Sequence, residues 1–325
     1  MSQMADRRQE EPQFPELPIT GVAPISSVAE FVPEHFEVLE EIGRGGMGVV
    51  YKAKDRLTQR LVAIKLIKPK NLSATNIERF SREAKVATSF FHENAVNILT
   101  FGVIKGSPYL VMDYVEGVGL DAFLKDPSHI HERVATNICS EICAVLSAAH
   151  GAGIVHRDLK PTNIIIHTSD TAPLTVKVLD FGLAKLIDAD SKLTASGEVL
   201  GTPLYMSPEQ LRGLPADRRS DIYSVGVLLY QCSTGKLPHR AESMFSAMHK
   251  RLTEQPQPFP QNAKVSKSYQ QVVFKCLQRD SDDRYQTIDK LWSDLQKLAR
   301  GLPISSSVAW HRALLNGTLK ILGFE

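Results

Sequence analysis

The 325-residue chain has 43% hydrophobic and 23% charged residues, a composition typical of a folded globular protein. This composition excludes fibrous and wholly disordered chains. The 38 Lys and Arg residues almost balance the 36 Asp and Glu residues, and a formal net charge of +2 gives no general field for binding nucleic acid or a membrane surface. No uninterrupted apolar run reaches the roughly 18 residues of a membrane span. We therefore predict no nucleic-acid partner and no membrane span in this sequence.

Cysteine usage and the N-terminal sequence indicate a reducing compartment. The four cysteines form no C-x-x-C pair, and a chain of this length does not need disulfide bonds for stability. Cys139 and Cys143, four residues apart in an apolar helical pattern, are predicted to be buried thiols without chemistry, with a metal site as the alternative. The first residues lack the apolar core of a signal peptide. A cytoplasmic location follows, and membrane attachment would require that the chain belongs to a longer protein.

The chain is predicted to begin with an extension followed by a small β-sheet. Residues 1–34 are rich in proline and have little hydrophobic periodicity, which predicts a flexible extension that is either mobile or loosely docked. From residue 36, three short runs rich in β-branched residues predict three antiparallel strands separated by tight turns. A helix over residues 76–89 and two further strands over 97–103 and 108–113 complete this part of the chain.

After Gly117 the sequence changes to long helical patterns. The predicted helices cover residues 132–151, 218–234, 241–250, 268–277 and 287–299. The short runs N-I-I-I-H and V-K-V-L-D-F-G between them predict a small hairpin with polar residues at its ends. The tail over residues 301–325 is amphipathic and is predicted as a surface helix, with a partner helix or a juxtamembrane segment as alternatives.

Three glycines form the first motif that carries chemistry. Gly43, Gly45 and Gly48 make G-x-G-x-x-G, which dinucleotide-binding folds and protein kinases share. A dinucleotide-binding fold needs a helix after the last glycine, and a Walker A loop needs Lys and then Ser or Thr, whereas Val49 and Val50 continue a strand here. A glycine flap between two strands remains, and its bare backbone suits close approach to phosphates. Taken alone, the motif also fits a plain glycine-rich hairpin.

Four further motifs follow the glycines. They are V-A-I-K, which ends at Lys65, H-R-D-L-x-x-x-N over residues 156–163, D-F-G over 180–182 and S-P-E over 207–209. Together the five motifs resemble the signature set of Hanks-type protein kinases, and their detailed sequences are similar to the bacterial eukaryotic-like serine/threonine protein kinases. The only departure is Ser207, where the family has alanine in A-P-E.

The resemblance implies an α+β, bilobal protein kinase fold. A small antiparallel β-sheet N-lobe with one main helix would cover about residues 35–111, a hinge 112–117 and a larger, mostly α C-lobe 118–300. The implied function is that of an ATP-dependent, non-specific serine/threonine protein kinase that acts in signalling and transfers the γ-phosphate to Ser or Thr hydroxyls of proteins.

The resemblance also implies the catalytic residues. Asp158 would act as the base or orienter of the acceptor hydroxyl, with Lys160 beside it. Asn163 and Asp180 would hold Mg²⁺ or Mn²⁺, because hard oxygen ligands suit hard cations. Phosphoryl transfer needs placement and charge neutralisation more than covalent chemistry, which is what this set of residues provides.

The ATP contacts are implied in the same way. Lys65 would hold the α- and β-phosphates, steadied by Glu83, although a strand lysine taken alone would be a solvated edge charge. Apolar residues would enclose the adenine, with Met112 as gatekeeper, and ordinary core packing is the competing interpretation for each of them. The predicted ATP-binding residues are Ile42, Gly43, Gly45, Gly48, Val50, Ala63, Lys65, Glu83, Met112, Asp113, Val115 and Ile165.

Phosphorylation is predicted in the segment that follows D-F-G. A phosphate on Thr194 or Ser196 would order this segment through charge-assisted hydrogen bonds to Arg157, which precedes the catalytic aspartate. Solvated hydroxyls in a mobile loop are the alternative. Thr202 is predicted to lie at the substrate site.

Three residues are predicted to stabilise the site. Glu209 would pair with Arg284 in a buried contact, and Asp221 would brace the catalytic loop. An exposed ion pair is the alternative for Arg284, and such a pair would contribute only about 0 to 1 kcal/mol.

Other functions account for less of the sequence. A glycosidase would use Asp158 and Asp180 as an acid–base pair, but the glycine flap and Asn163 would have no role. A pseudokinase usually lacks one of the catalytic residues, all of which are present here. A small-molecule kinase of the antibiotic-modifying type shares only part of the motif set, and Lys160 with the long segment before Glu209 favours protein substrates.

Besides protein substrates, the predicted partner is a second copy of the chain, through self-association for trans-autophosphorylation.

Overall fold

The computed structural model describes residues 28–45, 48–67, 74–168, 174–181 and 203–305. They fall into two compact units, the first made of the chain up to Arg82 with Ile98–Tyr114, the second of Glu83–Asn97 with the chain from Val115 onward. The chain leaves the first unit after Tyr114, within the hinge predicted over residues 112–117. In these ranges no helix combines the length and the apolar character needed to cross a membrane.

A five-stranded antiparallel sheet makes up most of the first unit. Its strands, in the spatial order β1-β2-β3-β5-β4, are β1 Phe36–Gly45, β2 Gly48–Asp55, β3 Leu61–Ile67, β4 Ile98–Ile104 and β5 Ser107–Asp113. All five predicted strands are present, and the bounds of β4 and β5 lie within one residue of the prediction. Because side chains alternate along a strand, the sheet presents two faces.

One face of the sheet is covered by the segment that precedes β1. Val28, Phe31 and Val32 are buried against apolar side chains of β2, β3 and β5. Residues 28–32 are therefore docked on the sheet and not mobile, because burying three apolar side chains outweighs the entropy lost in ordering this short segment. Residues 1–27 lie outside the described residues.

The other face carries the helix that follows β3. Helix α1, Ala74–Ala87, begins and ends two residues before the predicted bounds. Phe80 of α1 is buried, and its ring lies edge-on to the ring of Phe101 in β4 with 6.1 Å between centroids. The division between the two units falls within α1, between Arg82 and Glu83.

The second unit is mostly helical. Its helices are α2 Leu120–Phe123, α3 Glu132–Gly151, α4 Pro208–Leu211, α5 Arg218–Thr234, α6 Met244–Thr253, α7 Lys267–Cys276 and α8 Ile288–Ala299. Helices α3 and α5 have the predicted bounds. Helix α6 begins three residues later than predicted, because Ser243 caps it by accepting a hydrogen bond from the backbone N–H of Ser246.

The core of the second unit forms around α5. This helix is buried along nearly its whole length, and side chains of α3, α7 and α8 belong to the same apolar core. A Cβ on Gly226 would lie 2.6 Å from the Cβ of Cys276, so glycine is what allows α5 and α7 to approach this closely. All four cysteines are buried and unpaired, and the burial of Cys139 and Cys143 was predicted.

A small sheet lies beside these helices. Its strands are β6 Val118–Gly119, β7 Ile164–His167 and β8 Thr175–Val178, in that spatial order. Strands β7 and β8 form the predicted antiparallel hairpin, with Ile164 opposite Val178. This pairing brings the residues before β7 and after β8 to the same end of the hairpin.

Candidate active site

In the first unit, the residues predicted to bind ATP share one face of the sheet. Val50 of β2 stands opposite both Gly43 of β1 and Lys65 of β3, and Ala63 of β3 stands opposite Met112 of β5. Directly opposed residues and residues two apart on one strand point to the same face. The face with Lys65 is therefore the one opposite to the N-terminal segment.

The three glycines of the motif differ in their packing. A Cβ on Gly48 would lie 2.0 Å from the carbonyl oxygen of Leu66, so the sheet itself requires glycine there. A Cβ on Gly43 would meet its nearest neighbour, the Cβ of Val50, at 3.9 Å, and a Cβ on Gly45 would meet no described atom within 4 Å. Packing among the described residues explains why position 48 is glycine. It does not explain the glycines at positions 43 and 45.

The remaining predicted ATP contacts are spread over both units. Ile42 of β1 is 44% exposed, and Asp113 is the last residue of β5. Val115 and Ile165 belong to the second unit, where Ile165 stands opposite Gly119 in the small sheet. Lys65 is buried in the first unit and Glu83 belongs to the second, so their pairing stays a prediction.

The second unit gathers the predicted catalytic residues in one loop. The ammonium of Lys160 lies 2.8 Å from Oδ2 of Asp158, and both side chains are largely buried. The side-chain amide of Asn163 donates to the backbone carbonyl of Asp158 at 2.9 Å. The loop thus places the ammonium of Lys160 and the amide of Asn163 next to Asp158.

His156 ties this loop to the strand that leads to Asp180. Its Nδ1 accepts from the backbone N–H of Asp158 at 3.3 Å, which assigns the proton to Nε2, and Nε2 donates to the carbonyl of Leu179 at 2.9 Å. The backbone N–H of Leu179 in turn donates to the carbonyl of Asn163 at 2.8 Å. Asp180 follows directly, so the loop that carries Asp158 and Asn163 is joined to the residue before Asp180 by two hydrogen bonds.

Asp221 at the start of α5 holds the other side of the catalytic loop. Its two carboxylate oxygens accept from the backbone N–H groups of His156 at 2.9 Å and Arg157 at 2.8 Å, and Nε2 of His150 lies 2.8 Å from Oδ2. Arg157 and Asp180 have left-handed backbone conformations, with φ of 64° and 52°. Such conformations are unfavourable for residues with a Cβ and persist where surrounding contacts hold them.

Glu209 and Arg284 form a buried ion pair. Both guanidinium Nη atoms lie 2.8 Å from the carboxylate oxygens in a two-pronged contact, and the hydroxyl of Ser220 donates to Glu209 at 2.6 Å. Burial raises the pKa of Glu209, but the hydrogen bonds and positive charge of Arg284 outweigh it and lower the pKa from 4.5 to about 2. The pair is ionised at neutral pH.

The donor atoms suit a magnesium ion. Because the amide N–H₂ of Asn163 points to Asp158, its carbonyl oxygen is oriented away from that bond, and Asp180 supplies a carboxylate from the adjoining loop. No cluster of three or more His, Cys, Asp or Glu side chains suited to a metal occurs in the described ranges. One carboxylate and one amide, completed by phosphate oxygens and water, is a usual protein contribution to Mg²⁺ binding.

Several residues at the site had no assigned role in the sequence interpretation. His156 was noted only as part of a motif, and Gln210, which donates to the carbonyl of Arg157 at 2.8 Å, was not identified. Their partners are backbone N–H and carbonyl groups, which have no sequence pattern. The predicted phosphorylation sites Thr194 and Ser196, and Thr202, lie outside the described residues.

The chain matches the family model described as protein kinase domain over residues 36–294. Among curated proteins it is 38% identical over 277 residues to the serine/threonine-protein kinase pkn3 of Myxococcus xanthus, covering 83% of this chain and 51% of that protein. It is 35% identical over 271 residues to the serine/threonine-protein kinase PrkC of Bacillus subtilis, covering 83% of this chain and 41% of that protein. The chain therefore spans about half the length of the curated relatives it matches.

Among solved structures, the chain is similar to Rad53 residues 1–466 in complex with AMP-PNP. The match has a TM-score of 0.66 and 27% sequence identity, and it covers 80% of this chain and 64% of the other. The family and fold predicted from the motifs are confirmed. The chain belongs to the protein kinase family, with bacterial serine/threonine-protein kinases among its relatives.

Proposed function

We propose that the chain is an ATP-dependent protein serine/threonine kinase that works with Mg²⁺ or Mn²⁺. The observation that carries this proposal is the joining of the Asp158 loop to the Asp180 loop through His156 and Leu179. These hydrogen bonds hold the two backbone segments that carry two carboxylates and an amide next to each other, and phosphoryl transfer requires such placement. The named serine/threonine-protein kinases among the relatives support the same conclusion.

On the second unit, Asp158 is proposed to accept a hydrogen bond from the acceptor hydroxyl and to take its proton. Lys160, 2.8 Å from Asp158, would place a positive charge beside the transferred phosphoryl group. Asn163 and Asp180 would hold the metal ion, which when bound neutralises charge on the phosphates. His156 would keep the loop in place.

On the first unit, the glycine motif and Lys65 are proposed to bind the phosphates. Gly43 and Gly45 have space for a side chain among the described residues, and a bare backbone at these positions lets N–H groups approach phosphate oxygens. Lys65 lies on the same sheet face and would contact the α- and β-phosphates. Ala63 and Met112 would contribute apolar surface for the adenine.

Regulation by autophosphorylation is also part of the proposal. A phosphate on Thr194 or Ser196 would carry about −1.5 to −2 charge and bind Arg157, whose backbone is held by Asp221 and Gln210. Transfer between two copies of the chain would require transient self-association. The supply of ATP and Mg²⁺ favours a cytoplasmic site of action. Alanine at both Thr194 and Ser196 is expected to remove most activity, whereas Ser191→Ala is expected to remove little.

A peptide array with radiolabelled ATP and Mg²⁺ tests the main proposal. The wild-type chain should label serine and threonine peptides, with phosphotyrosine rare, and Asp158→Asn should label none. Asp283→Asn makes the same chemical change at an exposed position of the second unit and should match wild type. A lack of transfer by wild type, or a product dominated by phosphotyrosine, would contradict the proposal.

A further inference from the structure

A buried arginine on α6 lies outside the site described so far. Arg251 is only 2% exposed, and α6 otherwise buries Ala247 alone among its described side chains. Among the described residues no carboxylate forms an ion pair with Arg251. A buried charge without a counter-ion is costly unless its donors are satisfied, so its hydrogen bonds need an explanation.

The partners of Arg251 are backbone carbonyls of one short turn. Its Nη1 donates to the carbonyls of Pro203 at 2.6 Å and Met206 at 2.8 Å, and its Nη2 donates to the carbonyl of Leu204. The carbonyl of Tyr205 accepts from the hydroxyl of Ser224 in α5. All four carbonyls of this turn, residues 203–206, are therefore held by side chains of α5 or α6.

The 203–206 turn lies next to residues of the proposed reaction. It directly precedes the S-P-E motif, in which Glu209 pairs with Arg284, and Gln210 links the same segment to the carbonyl of Arg157 in the catalytic loop. The side chains of Leu204 and Met206 are only partly buried, so they offer apolar surface to a bound chain. Because Gln210 ties this segment to Arg157, the residue before Asp158, a protein chain whose hydroxyl reaches Asp158 would pass close to the turn.

We propose that Arg251 is a positioning residue that fixes the 203–206 turn for binding of the protein acceptor. This inference rests on the proposed kinase activity. The planar guanidinium places donors on two nitrogen atoms in a rigid fork and so reaches three carbonyls at once, which a single flexible ammonium does not reproduce. Loss of the fork would free the turn and weaken acceptor binding while leaving Lys65, Asp158, Asn163 and ATP use unaffected.

The test compares Arg251→Met, Arg251→Lys and Lys250→Met with wild type. Lys250 is the neighbouring cation on α6 and makes no hydrogen bond to the 203–206 turn, so its replacement controls for a charge change on the helix. All four proteins are first phosphorylated to the same intact mass by trace wild-type kinase. The measurements are kcat and KM for the best array peptide, KM for ATP, and ATP hydrolysis without peptide.

Arg251→Met should raise the peptide KM by about tenfold or more, and Arg251→Lys by about threefold or more. Their KM for ATP and their peptide-independent ATP hydrolysis should stay within about twofold of wild type, as should every constant of Lys250→Met. If Arg251→Met does not fold, Arg251→Lys decides by the same criteria.

Two results would overturn the proposal. One is a peptide KM within about twofold of wild type in the folded Arg251 variants. The other is an equal fall in peptide transfer and in peptide-independent hydrolysis, because that pattern indicates general damage to the site. If the proposed kinase activity itself is wrong, the wild-type chain labels no peptide at all, and this outcome differs from the two results above.

Discussion

The ion pair between Glu209 and Arg284 gives the most quantitative prediction, through Glu209→Gln. The guanidinium of Arg284 is fully buried and donates to both oxygens of Glu209 and to the carbonyls of Gln278, Arg219 and Arg279. Glutamine keeps the shape and one acceptor but removes the negative charge. The variant therefore leaves a buried cation whose remaining partners are all neutral, namely the new amide, three backbone carbonyls and the ring of Tyr223.

The expected loss of stability at neutral pH follows from this environment. Removing one partner of a buried pair typically costs about 3–5 kcal/mol, because the remaining charge is no longer compensated. The three carbonyl acceptors of Arg284 reduce that penalty, so we expect about 3 kcal/mol for Glu209→Gln. Arg284→Met combined with Glu209→Gln should cost well below the sum of the two single changes, because no unpaired charge remains.

The pH dependence gives an independent check. A carboxyl group whose pKa is lowered by folding, here from 4.5 to about 2, stabilises the fold above the unfolded value. This contribution is lost as the pH falls from about 4.5 towards 2. The full shift would correspond to about 3 kcal/mol, which solvent screening of the partly exposed carboxylate reduces to about 2 kcal/mol.

Urea unfolding followed by circular dichroism measures both effects. The free energy of unfolding of Glu209→Gln should lie about 3 kcal/mol below that of wild type near neutral pH. This difference should be about 1 kcal/mol smaller near pH 3. Glu242→Gln, at an exposed position of the second unit, should match wild type near neutral pH. A difference below about 1 kcal/mol near neutral pH, or one that stays constant down to about pH 3, would refute the buried-pair argument.

Further predictions concern catalysis and the N-terminal segment. Asp158→Asn and Lys65→Met should each lower peptide transfer by about a thousandfold or more with little change in melting temperature, and a wild-type rate in either would contradict the assigned role. Deletion of residues 1–27 should leave peptide transfer within a few fold of wild type, and abolished transfer would make that segment part of the working enzyme. Phe31→Ala should destabilise the protein by about 3 kcal/mol or more in thermal unfolding, because it opens a cavity, whereas Phe91→Ala, 68% exposed, should cost below about 0.5 kcal/mol. Equal effects of these two changes would show that Phe31 is not held in the core.

Hydrophobic periodicity predicted the long helices because their termini also carry local signals. Helix α5 begins after Asp217, whose side chain accepts from the N–H of Arg219, and ends at Gly235 with φ of 67°. Both are recognisable from sequence as an N-cap and a left-handed C-terminal glycine. Helix α6 was misplaced by three residues, because several polar residues precede it and only the structure shows that Ser243 is the cap.

The docking of residues 28–32 could not be predicted specifically, because the proline content was averaged over residues 1–34. Prolines dominate residues 1–34 as a whole, but Val28, Phe31 and Val32 have helical spacing within that range. A short amphipathic turn is too small to outweigh the proline signal in a sequence average. Its burial depends on the apolar face of a sheet formed by residues that follow it in the chain.

Residues of the candidate site could be proposed from the sequence where they belong to a motif. Residues whose side chains bind backbone groups could not be proposed in this way. Asp158, Asn163 and Asp180 could be proposed from the sequence because they stand in motifs that resemble those of protein kinases. Arg251 was not found, since its partners are carbonyls that lie 45 to 48 positions away in the chain. Any residue presents a carbonyl, so such a contact leaves no pattern in the sequence.

Helix α5, at the centre of the second unit, carries polar side chains that hold different parts of the candidate site. Ser220 donates to Glu209, Asp221 accepts from the catalytic loop, and Ser224 donates to the 203–206 turn. Residues three and four positions apart lie on the same face of a helix, so Ser220, Asp221 and Ser224 fall within an arc of about 100° and form one polar face of α5. The guanidinium carbons of Arg251 and Arg284 lie 5.8 and 5.0 Å from the ring centroid of Tyr223 on the same helix. A small rotation of α5 would therefore move its contacts to the catalytic loop, to Glu209 and to the 203–206 turn together.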